Sequence, residues 1–186
     1  NPDTQIVTDK VWHELAFGLE SLGIDNATMR LRIGETASYF GIQDLIHQDV
    51  STLSGGQKQL VNLASIMVMN PDILVLDEPT SQLDPTGAER FLYTIHKINR
   101  QLGITIIMTE HRLEQVLSMA SQVIEMDEGR VIADDLPVNV AGYLHQQKHP
   151  MYLSMPAPMQ IYGEVMKKGE YPLTIGQLCE CIEATI

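Results

Sequence analysis

The sequence predicts an α/β fold: a parallel sheet with crossover helices, joined to an all-helical opening segment. Three observations carry this reading. Residues 73–76 (ILVL) and 104–109 (ITIIMT) are short continuous apolar runs bounded by turn residues, the pattern of strands buried in a parallel sheet. A helical pattern over residues 85–101 lies between them and supplies the crossover that a parallel pair needs. Residues 1–50 show no strand signal, while apolar residues recur there at helical spacing.

The elements follow in order. Residues 8–22 read as a helix with Val11, Leu15, Leu19 and Leu22 on one face; Thr8 is placed to cap its start and Gly23 to end it. Residues 26–39 form a second helix, apolar at Met29, Leu31, Ile33 and Ala37, with Gly41 as its breaker. A loop passes through Leu45 and Ile46 to Ser54. Residues 57–69 are apolar almost all round, as in a buried helix, until Asn70-Pro71-Asp72 stops it. The first strand follows, then the helix of residues 85–101, with Pro85 suited to the first turn and Gly103 to the stop. The second strand leads to a helix over 113–120. Residues 122–126 read as a strand, Asp127-Glu128-Gly129 as a tight turn, and 130–133 as the hairpin partner. Residues 138–147 are helical. Beyond Pro150 the pattern thins, and Pro156, Pro158 and scattered apolar residues read as a linker with one short helix over 174–184.

The composition sets limits on function. The chain of 186 residues is 44% hydrophobic and 19% charged, ordinary values for a globular protein. Its net charge of −12 opposes a phosphate backbone and argues against general nucleic-acid binding. The longest apolar run, LASIMVM, falls well short of the roughly 18–20 residues of a membrane helix. A membrane role must therefore come through a partner. Cys179 and Cys181 are spaced for neither a disulfide nor a zinc site and read as reduced thiols of a cytosolic protein. The chain opens NPDTQIV and closes CIEATI, and both ends are expected to continue in a longer protein.

Two stretches carry chemistry. Residues 53–57 read Leu-Ser-Gly-Gly-Gln and open straight into the helix of residues 57–69. Glycines ahead of a helix form a phosphate-binding arrangement, because backbone N–H groups and the helix dipole both favour an anion. The strand 73–76 ends in Asp77-Glu78, at the carboxyl edge where α/β sheets bind ligands. One such carboxylate can hold Mg²⁺ and the next can orient or deprotonate a nucleophile. The plainer alternative is a capping turn at a strand end. The strand 104–109 is followed by Glu110-His111, which would bring Glu78 and His111 to one edge of one sheet.

Together these residues closely resemble the ATP-binding-cassette ATPases. LSGGQ matches that family's signature motif, residues 73–78 its Walker B with the following glutamate, Ser81-Gln82-Leu83-Asp84 its D-loop, and His111 its switch histidine. The resemblance implies the C-terminal part of a P-loop NTPase (RecA-like) parallel sheet core plus the all-helical ABC subdomain. Residues 1–50 would start the helical subdomain, 51–147 would hold the signature helix, Walker B, D-loop and His-switch half of the core, and 148–186 would be a linker, leading in tandem members to a second cassette. It also implies roles: Asp77 for Mg²⁺, Glu78 for the attacking water, His111 for the γ-phosphate, and Ser54, Gly55, Gly56 and Gln57 for the ATP of a partner cassette. Asp84 would lie across the dimer interface.

The first fifty residues resemble those of energy-coupling factor ATPases, which drive vitamin and metal-ion uptake. The partners implied are a second ATPase domain (identical, homologous or on the same chain), an integral membrane coupling subunit and a substrate-binding membrane subunit, at the cytoplasmic face of the membrane. Trp12 and Phe17 could lie on the membrane-subunit contact, or simply pack an amphipathic helix.

A cassette ATPase also needs a Walker A loop, GxxxxGK[ST], to wrap the phosphates of ATP. None of the six lysines here follows a glycine, so no register of that motif exists in this chain. The family's Walker A strand lies between those matching residues 104–109 and 122–126, so a gap in the sheet with apolar edges is expected. Two readings result. The chain is part of an ATP-hydrolysing subunit, inactive on its own, or it is a truncated cassette that supplies only LSGGQ to a partner's site.

Overall fold

The computed structural model describes residues 6–166 and 169–184. Asn1 to Gln5, where the resemblance to energy-coupling factor ATPases begins, lie outside the described residues. The chain divides into two compact units, Asn1–Thr109 and Glu110–Ile186.

The first unit opens with α1 (Val11–Ser21) and α2 (Asn26–Phe40), followed by two short 3₁₀ turns and α3 (Gly55–Met67). Thr8 does not cap α1. Its hydroxyl donates to the Lys10 carbonyl and to Glu14 Oε2, and the Glu14 carboxylate also accepts from the Val7 and Thr8 amides. The buried Glu14 is thus satisfied by the segment that enters the helix. Asp25 caps α2, accepting from the amides of Ala27 and Thr28 and from the Thr28 hydroxyl.

The apolar character of α3 has a clear cause, since the helix is shared between two cores. Val61, Ala64 and Val68 pack with Val11, Leu15 and Leu19 of α1 and Met29, Ile33 and Ala37 of α2. Leu63 and Met67 pack instead with Leu74, Phe91, Ile95 and Ile98. The last three belong to α4 (Pro85–Leu102), which crosses from β1 (Ile73–Asp77) to β2 (Thr105–Thr109). Gly103 ends α4 with φ of 69°, a conformation that glycine adopts without a Cβ clash.

β1 and β2 pair in parallel, with Ile73 opposite Thr105 and Asp77 opposite Thr109. Their inner face carries Leu74, Leu76 and Ile106 toward α3 and α4. The sequence reading expected both strands to be buried. Here only one face is covered: Ile73 is 56% exposed, Val75 69% and Ile107 54%. An all-parallel sheet is normally covered on both faces, and among the described residues no helix of this unit lies over these three side chains.

The second unit holds α5 (Leu113–Val116), β3 (Val123–Asp127), β4 (Arg130–Asp135) and α6 (Pro137–Gln146). The helix expected over 113–120 is one turn long, and the expected hairpin forms as the antiparallel pair β3–β4. The described strands thus make two separate two-stranded sheets, one in each unit.

Residues 150–166, expected as linker, are folded, and the short helix expected over 174–184 forms over Ile175–Glu183. They form a 3₁₀ turn (Pro150–Ser154), α7 (Ala157–Met166) and α8 (Ile175–Glu183), and they contribute Tyr152, Met155, Met159, Tyr162, Tyr171 and Leu178 to a core with Leu117, Val140 and Leu144. Aromatic residues hide this in the sequence because they do not recur at a helical period. The Tyr152 hydroxyl donates to the Met159 carbonyl at 2.8 Å, and His145 Nδ1 lies 2.7 Å from the Tyr171 hydroxyl. Burial, reinforced by Tyr171 and Glu164, pushes the Tyr152 phenol up to about 12. At Gly163 any Cβ would collide with the Tyr152 hydroxyl, which explains a glycine inside α7.

Two outcomes check this architecture. Tyr152→Phe removes a buried hydrogen bond to the Met159 carbonyl and should destabilise the second unit by about 1 kcal/mol, read from the denaturant midpoint. The Thr28 hydroxyl and the α2 amides hold the Asp25 carboxyl below the ordinary 3.8. The cap therefore contributes its full stability above 3.8 and loses it as pH falls through the lowered value. In an NMR titration the Thr28 amide shift should move with a midpoint below 3.8.

Candidate functional site

Two sites of the sequence reading lie in the first unit. One is the N-terminus of α3. Ser54 is its N-cap, with an extended backbone, and its hydroxyl accepts from the Gln57 amide at 3.3 Å. The Gln57 side-chain oxygen returns to the Ser54 amide at 2.8 Å, completing a capping box. The helix therefore starts two residues earlier than its apolar pattern implies. The acceptor oxygen of Gln57 is committed to the cap, whereas the Ser54 O–H proton remains available to donate outward.

Gly55 and Gly56 occupy the first helical positions and are exposed. A Cβ added to either would meet no atom within 4 Å, and neither has a positive φ. Among the described residues nothing requires glycine there, although glycine in a helix costs about 0.5–1 kcal/mol relative to alanine. An exposed helix start of this kind presents open N–H groups that can take an anion.

The other site is the carboxyl edge of the β1–β2 pair. Side chains alternate along a strand, so Asp77 shares a face with Ile73 and Val75, and Thr109 shares it with Ile107. This is the uncovered face. The Thr109 hydroxyl donates to Asp77 Oδ1 at 2.6 Å and accepts from the Glu78 amide at 3.1 Å. The Thr109 carbonyl accepts from the same amide at 3.1 Å. Glu78 is one of four described non-glycine residues with positive φ, at 43°. A carboxylic residue held in that region is costly and concentrates at functional turns.

The turn is fixed from behind as well. The Ser81 hydroxyl donates to the Glu78 carbonyl at 2.9 Å, and the Gln59 side chain on α3 donates to the Pro79 carbonyl at 3.1 Å. Thr80 is fully buried. Thus α3 carries Ser54, Gly55 and Gly56 at its start and, one turn later, a direct hold on the backbone that follows Glu78.

Asp84 is exposed and is the N-cap of α4, its Oδ1 accepting from the Gly87 amide at 2.8 Å. A Cβ at Gly87 would stand 2.6 Å from that oxygen, so the cap depends on glycine. Whatever else Asp84 does, one of its oxygens serves its own helix. His111 is exposed and follows β2 in the bend that opens the second unit; its amide donates to Glu110 Oε2 at 3.1 Å. The structure thus brings Asp77 and Glu78 together through Thr109, and sets Ser54, Gly55 and Gly56 on the helix that braces them.

Sequence reasoning missed Thr109 and Gln59. A register argument finds Thr109, because a hydroxyl that ends the strand paired with β1 must face Asp77. Gln59 leaves no such signal, since its partner is a backbone carbonyl.

Among the described residues no three His, Cys, Asp or Glu side chains converge on a metal-sized position. A carboxylate at a strand end still suits Mg²⁺, which binds through one or two carboxylates together with water and phosphate oxygens.

Substituting alanine at Gly56 should leave the fold intact and raise its stability by up to about 1 kcal/mol in a thermal melt, because the added methyl group meets open space.

The sequence pattern of the ABC transporter family matches residues 2–81. An ABC transporter ATP-binding protein of Bacillus anthracis is 53% identical over 142 residues, which is 76% of this chain and 26% of that protein. The energy-coupling factor transporter ATP-binding protein EcfA1 of Caldanaerobacter subterraneus subsp. tengcongensis is 38% identical, with 98% of this chain and 66% of that protein covered. This chain therefore spans about a quarter of the first relative and about two thirds of the second. Among solved structures, cbiO1 from Clostridium perfringens, part of the ABC transporter complex cbiONQ, superimposes with a TM-score of 0.71 at 29% identity, covering 97% of this chain and 64% of that one. MJ1267, an ATP-binding cassette, gives a TM-score of 0.65 at 24% identity over 78% of this chain and 61% of its own, a likeness of fold alone.

Proposed function

This chain belongs to the ABC transporter ATP-binding family, and from that premise we propose that it is part of the ATP-hydrolysing subunit of an importer of the energy-coupling factor type. One observation carries the proposal: Asp77 and Glu78 stand at the carboxyl edge of a parallel pair, with Asp77 on the face that the described residues of this unit leave uncovered. An element that covers Val75 and Ile107 would arrive on the same side as Asp77. A phosphate-cradling loop on that element, from sequence beyond this chain, would complete the site. The absence of any Gly-Lys pair here agrees with that division.

In this reading Mg²⁺, held by Asp77 with phosphate and water oxygens, would neutralise charge on the transferring phosphoryl group. Glu78 orients the attacking water and accepts its proton. His111 stabilises charge on the γ-phosphate. Ser54, Gly55 and Gly56 offer a hydroxyl and backbone N–H groups to the ATP of a second cassette, and Asp84 lies near the junction of the two. The partners are that second cassette and the membrane subunits that bind and translocate the solute. A vitamin or a metal ion is the cargo in this reading, as the resemblance of residues 1–50 to energy-coupling factor ATPases implies. No helix among the described residues is long and apolar enough to cross a membrane, so attachment at the cytoplasmic face would run through those subunits.

Calorimetric titration with MgATP should give no micromolar binding to this chain alone, whereas the complete protein binds and hydrolyses ATP. In the complete protein Glu78→Gln should retain ATP binding and lose about 10²–10⁴-fold in kcat. Micromolar affinity in this chain, or unchanged turnover in that variant, overturns the proposal. ATP binding by a partner cassette that needs Ser54 while the complete protein turns nothing over would favour the non-hydrolysing alternative.

A further inference from the structure

We infer that Thr109 is a positioning residue that sets both carboxylates of the site, presenting Asp77 to the metal and Glu78 to the water; this rests on the ATPase reading above. The geometry is specific. Register puts Thr109 directly opposite Asp77 in the parallel pair, on the same face. Its single hydroxyl donates to Asp77 Oδ1 at 2.6 Å and accepts from the Glu78 amide at 3.1 Å. These form one chain of bonds, Glu78 N–H to Thr109 O–H to the Asp77 carboxylate. Each bond polarises the next, and the last is short and charge-assisted.

Two consequences follow for the carboxylates. With Oδ1 of Asp77 engaged by the hydroxyl, Oδ2 would be the less committed oxygen for holding a cation. The amide of Glu78 is held by both the hydroxyl and the carbonyl of Thr109, which keeps this residue at φ of 43°. That turn determines where the Glu78 side chain leaves the strand edge. A valine at position 109 has nearly the same shape and strand preference but can neither donate nor accept. A serine keeps both capacities. The pair of substitutions therefore isolates the hydroxyl from packing.

The test uses the complete ATPase and reads nucleotide binding with and without Mg²⁺ through a fluorescent ATP analogue, alongside steady-state turnover. Partners that orient a metal ligand typically contribute about 10–100-fold in metal affinity or activity. Thr109→Val should raise the half-saturating Mg²⁺ concentration about 10-fold or more and lower kcat, while nucleotide affinity in EDTA and the melting temperature stay near those of the unsubstituted protein. Thr109→Ser should restore both the Mg²⁺ dependence and kcat. An unaltered Mg²⁺ dependence in Thr109→Val, or a Thr109→Ser variant as impaired as the valine, overturns the inference. If the unsubstituted protein fails to bind MgATP, the ATPase reading itself falls, and the role of Thr109 falls with it.

Discussion

The parallel pairing of β1 with β2 is the constraint on which the rest depends. It fixes which residues meet at the strand ends, and Asp77 meets Thr109 there. Pairing alone also sorts the side chains. Leu74, Leu76 and Ile106 go to the helices, while Asp77 and Thr109 go to the other side with Val75 and Ile107. A shift of register by one residue would send Asp77 into the core against α3 and α4, where an unpaired charge is heavily penalised. The apolar inner face and the acidic edge thus reinforce one alignment.

Much of this was legible in the sequence. The strands at 73–77 and 105–109, the crossover α4, the helical opening and the β3–β4 hairpin all follow from apolar runs, turn residues and helix stops. The caps were less legible. Thr8 looked like the N-cap of α1, but Glu14, one turn into the helix, draws its hydroxyl and two amides instead. Local pattern cannot reveal a buried carboxylate that competes for a capping group. The fold of residues 150–166 was hidden for another reason. Tyr152 and Tyr171 pack on His145 and Tyr162 packs on Tyr171, and contacts between rings leave no periodic trace along the chain.

In the site, residue types were easier to read than their connections. Asp77, Glu78 and Ser54 stand out because charge and glycine are conspicuous beside apolar runs. The bonds that hold them are made by Thr109, Ser81 and Gln59, each of which reads as an ordinary strand or helix residue until its partner is located. Gln59 also ties α3 to the Glu78 turn, so the two candidate sites of the first unit share one rigid support rather than lying on independent loops.

The paired glycines at the start of α3 have a wider consequence. A surface that offers main-chain amides instead of side chains has no residue identity to match on the other side. Under the proposed function, a partner that met this surface would read main chain, which substitutions of neighbouring side chains leave in place.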